Sequence, residues 1–366
     1  MINIVQFGIY TVWLHLLNPQ SAIVTNACDY HALCLLIFYW FTWEFSVTEL
    51  LSLHNLQVSF PTERGIFHAV RGVSLSLAAG SVLALVGESG SGKSMTALSI
   101  MRLVPQPGFI SSGEIVFEGQ NLLELPEEAL RNIRGRRASM VFQEPMTSLN
   151  PVLRIADQLC EPLILHMGLS RRDAQERGIE LLTNVGIPSA GERMNDYPHQ
   201  LSGGMRQRVM IAMALACHPS LLIADEPTTA LDVTIQAQIL ELLDAQRRSS
   251  GLSILLITHD LGIVAERADH TAVMYAGQVV ESAPTDTLLT APRHPYTKAL
   301  LASLPQYAEP GRPLPTLPGQ MNIRTASAGG CSFAERCPLA SARCRAESQD
   351  LREIAPDHLL RCWKCS

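Results

Sequence analysis

Gly87-Glu88-Ser89-Gly90-Ser91-Gly92-Lys93-Ser94 follows directly on Val82-Leu83-Ala84-Leu85-Val86, a run that is apolar without alternation. A strand of that kind is buried on both faces, as in a parallel sheet covered by helices. The octet fits glycine, four residues, glycine, lysine, serine, which is the pattern of a phosphate-binding loop between a strand and a helix. Its glycines let successive backbone N–H groups turn inward around phosphate oxygens, with Ser89 and Gly90 at the bend. The helix that follows, about Lys93 to Met101, adds its positive N-terminal end. Lys93 is then placed to reach β- and γ-phosphates, and the Ser94 hydroxyl to ligate Mg²⁺.

Outward from this loop, short apolar runs alternate with amphipathic segments from Leu51 to about Val280, the rhythm of an α/β fold. The expected strands are Leu53 to Phe60, Val82 to Val86, Ser139 to Phe142, Leu221 to Ala224 and Ile254 to Thr258. Between about residues 150 and 200 strand signals vanish and helical spacing takes over, as in Arg171 to Val185. That predicts a helical subdomain inside a larger α/β domain spanning 47–285. Past Ser282 the prolines Pro305, Pro310, Pro313, Pro315 and Pro318 mark an extended linker inside a C-terminal extension, 286–366.

Leu221-Leu222-Ile223-Ala224-Asp225-Glu226 delivers two adjacent acids at the carboxyl end of a buried strand, where ligands sit in open α/β sheets. Asp225 is expected to hold the Mg²⁺ shell. Glu226, on the other side of the alternating backbone, can accept a proton from an attacking water.

Further segments make a resemblance specific. Leu201-Ser202-Gly203-Gly204-Met205-Arg206-Gln207-Arg208 resembles the signature of ABC ATPases, and Val141-Phe142-Gln143 resembles their Q-loop. Thr258-His259-Asp260 is similar to their switch-histidine loop and Ala230-Leu231-Asp232 to their D-loop, all in that family's order. The resemblance implies a P-loop NTPase fold, ATP and Mg²⁺ as ligands, and two such domains paired head-to-tail. Ser202 and Gly204 would then contact the γ-phosphate held by a partner's loop. Gln143 would sense Mg²⁺ and the attacking water, His259 would hold the γ-phosphate, and Asp232 would belong to the nucleotide site. Phe60 matches the aromatic that stacks on adenine, with Phe67 a nearby competitor.

Gln143-Glu144-Pro145-Met146-Thr147-Ser148-Leu149-Asn150-Pro151 and Arg293-His294-Pro295-Tyr296-Thr297 resemble the dipeptide and oligopeptide permease ATPases, a group that includes nickel importers. That resemblance implies a second ATPase subunit, commonly a paralogue, two transmembrane permease subunits and an extracytoplasmic substrate-binding protein. It also places the chain as a peripheral subunit on the cytoplasmic face of the inner membrane. A soluble ABC ATPase acting on DNA or the ribosome usually carries a long coiled coil or a second ATPase domain, and neither is apparent here. A non-catalytic module would be expected to lack Glu226 or His259.

Composition narrows the field. A net charge of −6 gives no overall attraction to polyanions, which disfavours nucleic acid as partner. The first 46 residues hold ten of the 21 aromatic residues, and no Lys or Arg precedes Arg64. The run from His31 to Trp43 would be about 20 Å long as a helix, short of a hydrocarbon layer of about 30 Å. The reading preferred for 1–46 is translated upstream sequence, with a true start near Val47; a membrane hairpin is the alternative.

Five of the nine cysteines lie in the last 36 residues: Cys331, Cys337, Cys344, Cys362 and Cys365. Disulfides are not expected in a reducing cytosol. Four thiolates suit tetrahedral zinc or an iron–sulfur cluster, and spacing does not choose between them. Resemblance to relatives with this tail implies a [4Fe–4S] cluster on Cys331, Cys337, Cys344 and Cys362, with Cys365 spare.

Overall fold

The computed structural model describes residues 49–366 apart from 64, 144–147, 229–231, 305–318, 320, 322–328 and 366. The expectations for residues 1–46, for the proline-rich linker, for Ala230 and Leu231, and for part of the stretch after Gln143 fall outside the described residues.

In chain order the elements are β1 (Glu49–Thr62), β2 (Gly65–Ala78), β3 (Val82–Val86), α1 (Lys93–Ile100), β4 (Phe109–Phe117), β5 (Gln120–Asn121), α2 (Glu127–Ile133) and β6 (Ala138–Val141). Next come α3 (Ile155–Met167), α4 (Arg171–Asn184), α5 (Ala190–Arg193), α6 (Gly203–Leu215), β7 (Leu221–Asp225), α7 (Val233–Ser250), β8 (Ser253–Thr258) and α8 (Leu261–Arg267). The chain closes with β9 (His270–Tyr275), β10 (Gln278–Pro284), α9 (Thr285–Thr290), α10 (Pro295–Ala302), α11 (Ala342–Ala346), β11 (Arg352–Ala355) and β12 (His358–Leu360).

The larger sheet has the order β11-β12-β10-β9-β3-β8-β7-β6. Its β9, β3, β8, β7 and β6 are parallel, but β10, β12 and β11 continue antiparallel. The parallel sheet expected from the apolar runs is therefore the core of a mixed one. A second, antiparallel sheet, β2-β1-β4-β5, packs against it.

Two-sided burial explains the lack of alternation in β3 and β7, whose residues are all buried. Leu83, Leu85, Leu221 and Ile223 enter a core shared with the antiparallel sheet and α1. Leu222 and Ala224 enter a core shared with α3, α4, α6 and α7. Ala84 and Val86 meet Tyr275, Tyr296 and Phe333 in a third. Each large aliphatic side chain so buried contributes about 1.5–3 kcal/mol, and the two-faced demand fixes the strands at the centre.

Residues 150–200 contain α3, α4 and α5 and, among the described residues, no strand. Ser170 caps α4 by accepting from the Asp173 N–H at 3.2 Å, and Gly168 ends α3 in the left-handed region at φ 67°. No helix among the described residues is long and apolar enough to cross a membrane. The C-terminal extension is docked rather than trailing: β12 pairs with β10, and Glu49–Ser366 forms one compact unit.

Candidate functional site

The phosphate-binding loop leaves β3 through three glycines with positive φ: Gly87 (153°), Gly90 (79°) and Gly92 (105°). At Gly87 a Cβ would lie 2.2 Å from the Met274 carbonyl oxygen, and at Gly92 one would lie 2.8 Å from that of Ala69. Only glycine lets the loop pass so close to neighbouring backbone. Ser89 and Gly90 are exposed at the bend, whereas Lys93 is buried at the start of α1. Its Nζ donates to the carbonyls of Gly87 (2.8 Å) and Glu88 (3.1 Å), so the ammonium sits inside the loop. Burial lowers the Lys93 pKa, and the charges of Glu226, Asp225 and Glu88 oppose that shift.

Asp225 ends β7 opposite this loop and is buried, hydrogen-bonded to Ser94. Burial pushes its carboxyl above the usual carboxylate range; Ser94 pulls it back, Glu226 pushes it further, and Lys93 pulls it down. Its Oδ1 is buried without a hydrogen-bond partner. An unpaired carboxylate oxygen beside a serine hydroxyl suits a hard divalent cation, so the residues present fit Mg²⁺.

Glu226 steps out of β7 with φ 47°, a left-handed conformation that a non-glycine residue holds only when its surroundings impose it. Its N–H donates to the Ile257 carbonyl at 2.8 Å, tying it to β8. Gln143 Nε2 donates to Glu226 Oε2 at 3.0 Å, and His259 Nδ1 lies 3.3 Å from Oε1. His259 is fixed between the end of β8 and Asp260, which caps α8 by accepting from the Gly262 N–H at 2.8 Å. Four strand ends thus bring together residues up to 172 positions apart: Gly87–Ser94, Gln143, Asp225–Glu226 and His259.

Other expected residues are placed apart. Ser202 caps α6 by accepting from the Met205 N–H at 3.3 Å, and a Cβ on Gly204 would meet Ile235 Cγ2 at 3.3 Å. Asp232 caps α7 through the Ile235 N–H at 2.9 Å. Phe60 lies half-buried opposite Phe67 in the β1–β2 register, its ring against Gly108.

Sequence reasoning missed Gln207. It is buried on α6 and donates from Nε2 to the Pro227 carbonyl at 2.6 Å, tying the signature helix to the segment just after Glu226. A glutamine inside an otherwise apolar helical face was the available signal. It also missed Tyr296 and Arg336, which reach Glu88 of the phosphate-binding loop.

The terminal cysteines approach one another without closing. Burial raises the Cys331 and Cys337 thiol pKa values, and neighbouring cysteines add to it. Cys344 falls below its ordinary value: burial raises it, but the hydrogen bonds to Ser341, the Lys364 charge and a bond to its own backbone together lower it further. Cys365 is pushed up to about 11 by burial and then by Cys362, with which it shares a hydrogen bond. Among the described residues no three His, Cys, Asp or Glu side chains form a set that could hold a metal ion, so the thiols as placed do not make a closed cage.

A cavity of about 360 Å³ opens between β6 and the helical subdomain, lined by Phe142, Leu149, Leu165, His166, Met210 and Met213 among others. Leu165 is 70% exposed and Phe142 39%, an apolar surface next to Gln143.

Comparison with known proteins agrees with this geometry. The family model for the ABC transporter matches residues 70–229, and that for the oligopeptide/dipeptide transporter C-terminal region matches residues 280–344. The oligopeptide transport ATP-binding protein OppD of Bacillus subtilis is 49% identical over 319 residues, 87% of this chain and 89% of that protein. The dipeptide transport ATP-binding protein DppD of Escherichia coli is 48% identical over 313 residues, 86% of this chain and 96% of that one. Among solved structures, the ATP-binding cassette MJ0796, dimeric in a post-hydrolysis state with ADP and Pi, superposes with a TM-score of 0.59. It is 28% identical, covering 64% of this chain and 99% of that one.

Proposed function

The chain belongs to the ABC transporter family, and from that premise we propose that it is the ATP-hydrolysing subunit that drives an importer of short peptides. One observation carries the chemistry: Glu226 stands beside Lys93 and Asp225 with Gln143 and His259 on its two carboxylate oxygens. Lys93 and the loop N–H groups would bind the phosphates, and Ser94, Asp225 and Gln143 would hold Mg²⁺. That cation would neutralise charge on the transferred phosphoryl group. Glu226 takes the proton from the attacking water, while Gln143 and His259 orient that water and the γ-phosphate.

Ser202 and Gly204 complete the site of a second ATPase subunit, which we take to be a paralogue. Their positions at the N-terminal end of α6 support this reading, since a helix start led by serine and glycine offers N–H groups to an anion. The apolar cavity beside Gln143 would receive a short helix from one of two permease subunits, the second ATPase subunit taking the other, and an extracytoplasmic binding protein would supply a dipeptide or oligopeptide. The chain would then work as a peripheral subunit on the cytoplasmic face of the membrane. A [4Fe–4S] cluster on Cys331, Cys337, Cys344 and Cys362 is supported by the mutual electrostatic influence of these thiols and requires them to draw closer.

The decisive variant is Glu226→Gln, in the assembled transporter. Loss of the base should lower hydrolysis at least about 10²-fold while an ATP-bound dimer accumulates. Near wild-type turnover would remove Glu226 from the role of base.

A further inference from the structure

We propose that the C-terminal extension is an electrostatic part of the ATP site, with Arg336 and Tyr296 acting as positioning residues that hold Glu88 of the phosphate-binding loop. The inference rests on the ATP-binding reading of that loop.

Glu88 is the one acidic residue inside the octet Gly87–Ser94. A carboxylate there opposes an incoming polyphosphate and competes for Lys93, on whose charge it acts. Arg336 Nη1 donates to Glu88 Oε2 at 3.0 Å, and the arginine side chain is only 8% exposed. The guanidinium lies against the Tyr275 ring, 5.8 Å from its centroid, with Nη1 3.4 Å from the Tyr275 hydroxyl. Tyr296, fully buried, accepts the Glu88 N–H on its hydroxyl at 2.9 Å. Met321 reaches the same loop from the extension, with its Cε 3.5 Å from the Cβ position of Gly90.

These contacts assign a task to Arg293-His294-Pro295-Tyr296-Thr297, which sequence reading leaves as a family marker. His294 caps α10, whose second residue is Tyr296. Tyr296 packs edge-on against Tyr275 and beside Phe333, so its hydroxyl is delivered to the loop by a rigid aromatic cluster. Tyr296 fixes the Glu88 backbone, and Arg336 turns its carboxylate away from Lys93 and neutralises it. Lys93 is thereby left to the phosphates. Arg336 precedes Cys337, so order in the cysteine-rich module and order in the loop are linked through one residue.

The sign of the effect separates this from a purely mechanical brace. With Arg336→Gln, Glu88 keeps its charge and loses its partner, and ATP should bind about tenfold more weakly. Glu88→Gln alone leaves the arginine charge and a hydrogen-bonding partner, and should bind ATP at least as tightly as wild type. The Glu88→Gln/Arg336→Gln double variant should recover most of the loss, and Arg336→Lys should retain most of the affinity. ATP dissociation constants, measured by calorimetry on the full chain with its partner subunits, decide the matter. A double variant as weak as Arg336→Gln, or an Arg336→Gln chain that binds like wild type, overturns the proposal. If Arg336→Gln fails to fold, the Glu88→Gln arm still decides, because ATP binding weakened more than about threefold contradicts it. Wild-type protein that does not bind ATP sinks the underlying reading instead.

Discussion

Replacing His294 with asparagine should flatten the acid sensitivity of the fold by a calculable amount. His294 is buried at the start of α10, where its Nδ1 accepts the Tyr296 N–H at 3.1 Å and its other ring nitrogen meets the Arg361 backbone. Those two bonds require the neutral ring, with one nitrogen accepting and the other donating. A second proton would set N–H against N–H. Burial accordingly lowers the His294 pKa from 6.5 to about 3; the Arg361 backbone bond raises it and the Arg361 charge lowers it. The unfolded chain therefore takes up a proton below pH 6.5 that the folded chain refuses until about pH 3. The contribution to stability is full above 6.5 and is lost progressively as the pH falls. At pH 5, one and a half units into this window, the loss relative to pH 7.5 is about 2 kcal/mol. Asparagine can keep the cap without titrating. Urea denaturation at pH 7.5 and pH 5 should show wild type losing about 2 kcal/mol more than His294→Asn between the two values. Parallel losses would refute the assignment of a neutral, buried His294.

Three other perturbations test other parts of the molecule. Gly87→Ala places a methyl group 2.2 Å from the Met274 carbonyl oxygen on a strand that cannot retreat, and should cost about 3 kcal/mol in thermal unfolding while abolishing ATP binding. Leu165→Glu puts a charge into the apolar cavity at a residue that is 70% exposed; folding should change by less than about 0.5 kcal/mol while peptide uptake in reconstituted vesicles falls more than about tenfold. Protein purified without oxygen should contain about four iron atoms and four acid-labile sulfides per chain if the terminal thiols hold a [4Fe–4S] cluster; absence of both discards the cluster, and one zinc per chain replaces it.

The centre of the fold was legible because two-faced burial leaves an unmistakable trace. Val82 to Val86 and Leu221 to Ala224 carry no polar residue, and both became fully buried strands. Strands β2 and β4 were missed because each keeps a face toward solvent, so that His68, Arg71, Ser74 and Ser76 dilute the apolar signal in β2. The antiparallel edge of the larger sheet was missed for a different reason. Strands β11 and β12 are only four and three residues long, and they are strands only through the pairing of β12 with β10 and of β11 with β12. In the site, Lys93, Asp225 and Glu226 announce themselves through motif and position. Arg336 does not, since it is separated from Glu88 by 248 positions and lies in a tail whose cysteines draw the eye.

The bonds around Glu226 bear on how transport and chemistry are joined. A carboxylate that is to take a proton from water needs an oxygen free to receive it. Here Oε2 accepts from Gln143 and Oε1 faces His259, so each oxygen keeps a second lone pair for the water while movement of either side chain re-aims the carboxylate. Gln143 follows Phe142, which lines the apolar cavity, and the stretch beyond it returns to the same cavity through Leu149. A helix pressed into that cavity would bear on both sides of Gln143 at once. Gln207 ties α6 to the Pro227 carbonyl just past Glu226, so movement of α6, which packs on α3 and α4, reaches the base from a second direction. A permease helix docked there and the aim of the Glu226 carboxylate would then be two ends of one mechanical connection. This is why Leu165→Glu, at the far end of it, should remove uptake without touching any group that meets ATP.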